Sequence, residues 1–334
     1  MSNSVCIVAE AGLNHNGDME LARRMILEAR DCGADAVKFQ YFRVDDFLMD
    51  KEVKYSYSTS EGTFSESQYE MFKRCELSFQ NMASLVEFGR ERGIIVFATP
   101  TSSGRLEELL SMGVALLKNG SDYLGHLPLI EEMAASGVRT ILSTGMGQEE
   151  EISDAVEAFR SAGGSDLVLL HCTSLYPTPV ERANVNRITQ LKEHGTEVGY
   201  SDHTRSYLAA QLAVALGATV IEKHFTLDHS LHGPDHLFSV SPAELREYID
   251  AIRLAETAIT DRSGREEELA NKRMFTLSCA AAKSLAKGDS INKEDILFIR
   301  PGTGIRPREI PRLIGRTLLR DVNRGELFDW RDFD

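Results

Sequence analysis

The chain contains no run of about 18 consecutive apolar residues, the length a helix needs to cross a bilayer, so no membrane partner is expected. Cysteine is sparse: Cys6, Cys32, Cys75, Cys172 and Cys279 are odd in number, scattered, and without a Cys-x-x-Cys pair. Both a disulfide framework and a structural zinc site are therefore unexpected, and reduced core thiols are expected instead. Positive charge is also short, with 37 Lys and Arg against 51 Asp and Glu and a net charge of −14. That balance repels a phosphate backbone, so nucleic acid is not an expected partner. It leaves room for a small anionic substrate, because a few lysines focused in a cleft outweigh distant negative charge. No G-x-G-x-x-G follows the first apolar run, which argues against a dinucleotide fold. The opening MSNSVCIVAE has no basic stretch leading into an apolar one, so no secretory signal is expected and the cytoplasm is the expected compartment.

At 334 residues, with 42% hydrophobic and 26% charged residues, the chain has the size and composition of a large globular domain plus a small one. Eight short apolar or β-branched runs recur: Val5–Ala9, Ala36–Phe39, Ile94–Ala98, Val114–Lys118, Thr140–Ser143, Leu167–His171, Glu197–Tyr200 and Thr219–Lys223. Helix-like segments alternate with them, at Met19–Cys32, Asn81–Arg92, Gly104–Met112, Leu129–Ser136, Glu149–Ala162, Arg205–Leu216 and Pro242–Ala258, most of them ending in a glycine turn. Strand and helix in alternation make a parallel sheet, and eight repeats predict a closed (β/α)8 barrel over residues 1–260. Residues 261–273 are polar and read as a linker with a helical start, followed by a small β-rich domain over 274–334. The latter shows few core residues and is expected to dock onto a barrel.

In such a barrel the active site lies at the C-terminal ends of the strands. The polar residues there are Glu10, Asn14 and His15; Lys38 and Gln40; Thr99; Lys118 and Ser121; Ser143 and Thr144; His171, Thr173 and Ser174; Ser201, Asp202 and His203; Glu222 and His224. Two lysines among hydroxyls suit a phosphorylated anion, although Lys38 and Lys118 could equally pair with Glu10 inside the barrel. His203 and His224 end adjacent strands and could share a divalent cation with coordination positions to spare, or be core histidines. Glu222 and Asp202 could orient an imidazole, act as acid–base groups, or serve only internal ion pairs. In HGPDH at 232–236, glycine and proline favour a loop over a metal cluster, and the arginines of RPGTGIRPR (Arg300, Arg306, Arg308) read as an exposed turn or a sugar-facing cap.

The segments AEAGLNHNGD, GADAVKFQYF, FATP, LLKNGSD, LSTGMG, LLHCTSLYPTP, VGYSDHT, LGATVIEKHFT and LHGPDH, in this order, resemble the sialic acid synthase family of nonulosonic acid synthases. KGDSINKEDILFIRPGTGI resembles the C-terminal antifreeze-like (SAF) domain of that family, so the resemblance spans nearly the whole chain. It implies condensation of phosphoenolpyruvate with an N-acetylmannosamine-type sugar to a nine-carbon 2-keto acid and phosphate. By motif match, Lys38, Thr99, Lys118, Ser121, Ser143 and Ser201 bind phosphoenolpyruvate, with Ser174 where the family often carries asparagine, and Tyr176 also contacts substrate. His203 and His224 hold manganese, magnesium or cobalt, Glu10 or Glu222 helps water add, and Arg300 reaches the sugar from a second subunit in a domain-swapped homodimer. One departure bears on the acceptor: where the family commonly has G-S-G followed by an acid, Asp122 takes the glycine position and Tyr123 the acidic one. Two other readings of the same residues are a condensing enzyme with a different aldehyde acceptor and a non-catalytic sugar-binding barrel.

Overall fold

The computed structural model describes residues 4–59, 62–259 and 265–334. The chain divides into two compact units, Met1–Thr260 and Asp261–Asp334. In the first unit the order is β1 (Cys6–Gly12), α1 (Met19–Cys32), β2 (Ala36–Tyr41), β3 (Lys54–Thr59), β4 (Gly62–Ser67), α2 (Gln68–Arg74), α3 (Phe79–Glu91), β5 (Ile95–Pro100), α4 (Ser103–Ser111), β6 (Leu117–Asn119), α5 (Leu127–Ala135), β7 (Thr140–Ser143), α6 (Glu149–Ser161), β8 (Leu167–Cys172), α7 (Arg187–Leu191), β9 (Glu197–Asp202), α8 (Leu208–Ala215), β10 (Val220–His224) and α9 (Pro242–Ile259).

Eight strands form one parallel sheet in the order β5-β2-β1-β10-β9-β8-β7-β6, and its end strands β5 and β6 lie against each other. The result is the nearly closed α/β barrel that the alternation predicts. Its strands are buried on both faces, because helices cover the outside and side chains fill the inside, and hence they read as continuous apolar runs. Helix α1 shows how the covering layer is specified: Ala22, Met25, Ile26, Ala29 and Cys32 recur at helical spacing on the buried face, the Asp18 carboxylate accepts from the N–H groups of Glu20 and Leu21, and Gly33 ends the helix at φ 96°.

Several elements differ from the sequence reading. The fourth barrel strand starts at Leu117 rather than Val114: Val114 and Leu116 are buried, but pairing begins only where the Leu117 N–H donates to the Arg139 carbonyl. Helix α8 begins at Leu208 rather than Arg205, since hydroxyl-capped turns at Thr204 and Ser206 occupy the preceding backbone. The antiparallel hairpin β3–β4 and helix α2 form an insertion between β2 and α3 that no apolar run announced.

In the second unit α10 (Arg265–Phe275) covers most of the segment read as a linker, while residues 261–264 lie outside the described residues. It is followed by β11 (Ser278–Ala281), β12 (Ile296–Ile299) and α11 (Ile310–Leu313), with β11 and β12 paired antiparallel. This unit has more of a core than its sequence suggested, built by Cys279, Leu285, Ile291, Ile305, Leu313, Leu318, Val322, Phe328 and Phe333. All five cysteines are free. Among the described residues no helix is long and apolar enough to cross a membrane.

Candidate active site

The C-terminal ends of the barrel strands open into a cavity of about 480 Å³. Glu10, Lys38, Thr99, Lys118, Ser121, Tyr123, Ser143, Ser174, Tyr176, Ser201, His203, Glu222 and His224 all line it, so the barrel brings together every site residue expected of the first unit. They converge because alternate residues of a strand face the same way, and parallel register aligns those residues between neighbours. Thus Ser201 is opposite Glu222 across β9 and β10, and Glu10 opposite Lys38 across β1 and β2.

Two buried lysines meet two buried carboxylates at the centre. The Lys38 Nζ is 2.9 Å from Glu10 Oε2 and 3.7 Å from Glu222 Oε2, and donates to the Thr99 hydroxyl at 3.2 Å. The Lys118 Nζ donates to Ser143 Oγ at 2.7 Å and is 3.7 Å from Glu222 Oε1. Ser201 donates to the same Glu222 oxygen at 2.8 Å. Burial pushes the Glu10 carboxyl up to about 7 despite Lys38. For Glu222 burial acts the same way, but Lys118, Lys38 and the Ser201 hydroxyl outweigh it and hold the group at about 2. The two carboxyls share one lysine pair and titrate together, burial raising Glu10 and the two lysines lowering Glu222. Burial lowers the Lys118 ammonium, whereas Lys38 ends above its usual value because its two carboxylates overcome the same burial.

A second cluster forms around Ser121. Its hydroxyl accepts from the Gly145 N–H at 3.0 Å and lies 3.1 Å from Cys172 Sγ. A Cβ on Gly145 would stand within 2.4 to 2.7 Å of Ser174 Oγ, Cys172 Sγ and Ser121 Oγ, so only glycine lets these three groups close around the loop.

The two imidazoles sit at the rim, ring centroids 5.6 Å apart. Tyr176 packs its ring 4.2 Å from that of His203 and 5.1 Å from Phe238. His203 Nδ1 bonds the Thr173 carbonyl at 2.8 Å, which assigns the proton to Nδ1 and leaves Nε2 a lone pair. His224 Nδ1 is buried without a hydrogen-bond partner, with Asp235 Oδ2 at 3.9 Å. Burial lowers both histidines, His224 far below its usual value with His203 adding to the effect, so both are neutral ligand-type imidazoles. Among the described residues no three or more His, Cys, Asp or Glu side chains gather as a metal cluster.

Other strand-end residues turn elsewhere. Asn14 bonds the Phe225 carbonyl and Ser239, His15 Nδ1 accepts from the Gly17 N–H, and Thr144 Oγ1 and His171 Nε2 bond the Leu170 and Ala183 carbonyls. His236 is tied to Thr226 and Asn16, and the His232 ring sits edge-on to Phe64 of the hairpin, 4.1 Å between centroids. Arg300 belongs to the second unit, its guanidinium 5.5 Å from the Phe275 ring centroid. Conversely, sequence reading missed Asp235 and Phe238 of the loop after β10, and Tyr55, Gln68, Met71 and Phe72 of the insertion, all of which line the cavity. The available signal was length: the connection from Tyr41 to Phe79 far exceeds the usual two to six residues of a strand-to-helix loop.

Known proteins resemble this chain over nearly its whole length. The NeuB family profile matches residues 25–264 and the SAF domain profile residues 278–334. An N,N'-diacetyllegionaminic acid synthase from Legionella pneumophila is 38% identical over 341 residues, covering 100% of this chain and 96% of the relative. A pseudaminic acid synthase from Campylobacter jejuni is 33% identical over 98% of this chain and 96% of its own length. The solved structure of an N-acetylneuraminic acid (sialic acid) synthetase from Leptospira borgpetersenii, in complex with citrate, superposes with a TM-score of 0.72 at 34% identity, covering 82% of this chain and 93% of that one. With the barrel, the cavity and full-length likeness to nonulosonic acid synthases in agreement, this chain is an enzyme and belongs to the NeuB family.

Proposed function

We propose that the enzyme joins phosphoenolpyruvate to an open-chain N-acetylmannosamine-type sugar, giving a nine-carbon 2-keto-3-deoxy acid and phosphate. The observation that carries this reading is one cavity holding two buried lysines, each on a hydroxyl, beside two neutral imidazoles. Lys38 and Lys118 meet the donor's phosphate and carboxylate, with Thr99, Ser143, Ser201, Ser121 and Ser174 fixing its orientation. Before the donor binds, Glu10 and Glu222 balance the two ammonium groups. Methylene C3 of the donor attacks the aldehyde carbon, and water adds at the cationic C2 that results. Glu10 or Glu222 accepts one proton of that water and passes it to the alkoxide left on the former aldehyde carbon; the tetrahedral centre then collapses to the ketone with loss of phosphate, which carries off the water's other proton.

The residues at the rim fit a divalent cation, manganese by family resemblance, or magnesium or cobalt: both imidazoles are neutral, Thr173 aims His203, and His224 keeps a buried nitrogen without a partner. Bound there, such a cation supplies Lewis acidity to a carbonyl oxygen. An unphosphorylated acceptor is favoured because Lys38 and Lys118 are the only lysines lining the cavity among the described residues and no arginine does, which leaves an acceptor phosphate without its own cation. Leu13, Met71 and Phe72 offer an apolar wall to an acyl or methyl substituent. Arg300 acts on the acyl group from a second subunit of a domain-swapped homodimer, a role that rests on the family resemblance.

The test is phosphate release from phosphoenolpyruvate and manganese with a panel of unphosphorylated hexosamines, including 2,4-diacylamino sugars, and pentose phosphates. Turnover with an acylamino sugar is expected. Turnover with pentose phosphates alone would sink the reading.

A further inference from the structure

Behind the two rim histidines, on the outer face of the barrel, lies an ion pair that the chemistry above leaves unused. Glu222 and His224 face the cavity, so Lys223 between them points outward; likewise Ser201 and His203 face inward and Asp202 outward. Lys223 and Asp202 are register partners across β10 and β9. Their charged groups meet at 3.2 Å, with side chains 3% and 0% exposed. Asp202 Oδ1 accepts from the Thr204 N–H at 2.8 Å, and Lys223 donates to the Thr204 carbonyl. The residue after His203 is therefore held by both of its peptide groups. From α9, the fully buried Tyr248 donates its hydroxyl to Asp202 Oδ2 at 2.9 Å. On the other flank the His203 carbonyl accepts from the Thr178 N–H at 2.8 Å.

A buried ion pair is a weak source of stability, since apolar residues of the same volume commonly serve as well, and this one carries the full cost of desolvating both charges. What an apolar pair could not do is grip a backbone N–H and a backbone carbonyl at once. We infer that Asp202, Lys223 and Tyr248 form a positioning lock that fixes the His203 imidazole, and its spacing from His224, for a divalent cation. This rests on the reading that the two histidines hold such a cation. None of the three touches substrate; they act through His203.

The test uses the full-length protein, labelled with 15N-histidine and freed of metal, in two measurements: the imidazole nitrogen resonances, and Mn2+ binding followed by loss of the free-ion signal in electron paramagnetic resonance. In the parent, His203 should show a single Nδ1-protonated tautomer. Asp202→Asn and Lys223→Met should shift or broaden the His203 resonances and weaken Mn2+ binding about 10- to 100-fold, the usual range for groups that orient a metal ligand. Tyr248→Phe should do the same to a smaller degree. Ile130→Val, a change at a fully buried residue of α5 away from the lock, should lower the melting temperature without moving either readout. Folded Asp202→Asn and Lys223→Met proteins with parental His203 resonances overturn the inference; should those two not fold, unchanged resonances in Tyr248→Phe overturn it instead. If the parent binds no Mn2+ through His203 and His224, the cation reading falls, and the imidazole spectra alone decide whether the lock exists.

Discussion

Lys118 isolates the donor half of the chemistry at a single side chain. It is 3% exposed, donates to Ser143 and shares Glu222 with Lys38. Lys118→Met should raise the KM for phosphoenolpyruvate about 100-fold, because the anion loses one of two desolvated cations and Glu222 is left under-compensated. Lys118→Arg should not rescue it, since a planar guanidinium cannot replace a point charge held 2.7 Å from Ser143. Steady-state kinetics at saturating acceptor, with the donor varied, read both outcomes. The acceptor half has its own probe. Asp122 and Tyr123, which by the resemblance stand in the positions of a glycine and an acid, both line the cavity. The double change Asp122→Gly/Tyr123→Glu should alter the ranking of acylamino sugars by kcat/KM while leaving the donor's KM within about twofold, as expected for groups confined to one substrate's subsite. A shift in donor KM with unchanged acceptor ranking would put these residues on the wrong side of the cavity.

Among the elements, the strand-end loops carry the site, and the loop after β7 leaves no room for a side chain at Gly145. Gly145 brings its N–H to Ser121 while Cys172 and Ser174 close over the space a side chain would need. Gly145→Ala should therefore raise the donor KM at least about 10-fold through displacement of those hydroxyls, with the barrel still folded, because the clash is with side chains at a cavity edge and not with core backbone. Circular dichroism and donor-varied kinetics on one preparation separate the two effects. This loop and its peers were legible in sequence because a buried parallel strand reads as an apolar run and the polar residues at its end stand out against it. Lys38, Lys118, His203 and His224 were found that way. The outward partners at the same strand ends, Asp202 and Lys223, were harder to assign, since parity gives a side chain's face but not what helix α9 presents to it. The insertion was hidden for a different reason. The strands Lys54–Thr59 and Gly62–Ser67 are mostly exposed polar β-structure without an apolar run, and they reach the site through Tyr55, Tyr57 and Phe64, whose contacts with the cavity and His232 are long-range.

At the scale of the whole molecule the question is whether the second unit completes its own chain's site or another's. It folds around its own core and carries Arg300 in a cis Arg300–Pro301 turn. The proposed domain-swapped homodimer makes a prediction that needs no interface geometry. Arg300→Ala and His203→Ala homodimers are each prepared, and each should be nearly inactive at limiting sugar, the first through lost acyl recognition and the second through a lost ligand. Mixed, dissociated and reassociated in equal amounts, they form about half heterodimers. If Arg300 serves the partner's barrel, the Arg300→Ala chain's intact barrel receives the other chain's intact arginine, and the second site collects both defects. One working site in half of the dimers restores about a quarter of parental activity. If Arg300 serves its own barrel, every site in every dimer keeps a defect and mixing restores nothing. Phosphate release from the mixture, compared with the two unmixed proteins carried through the same dissociation step, reads the difference directly.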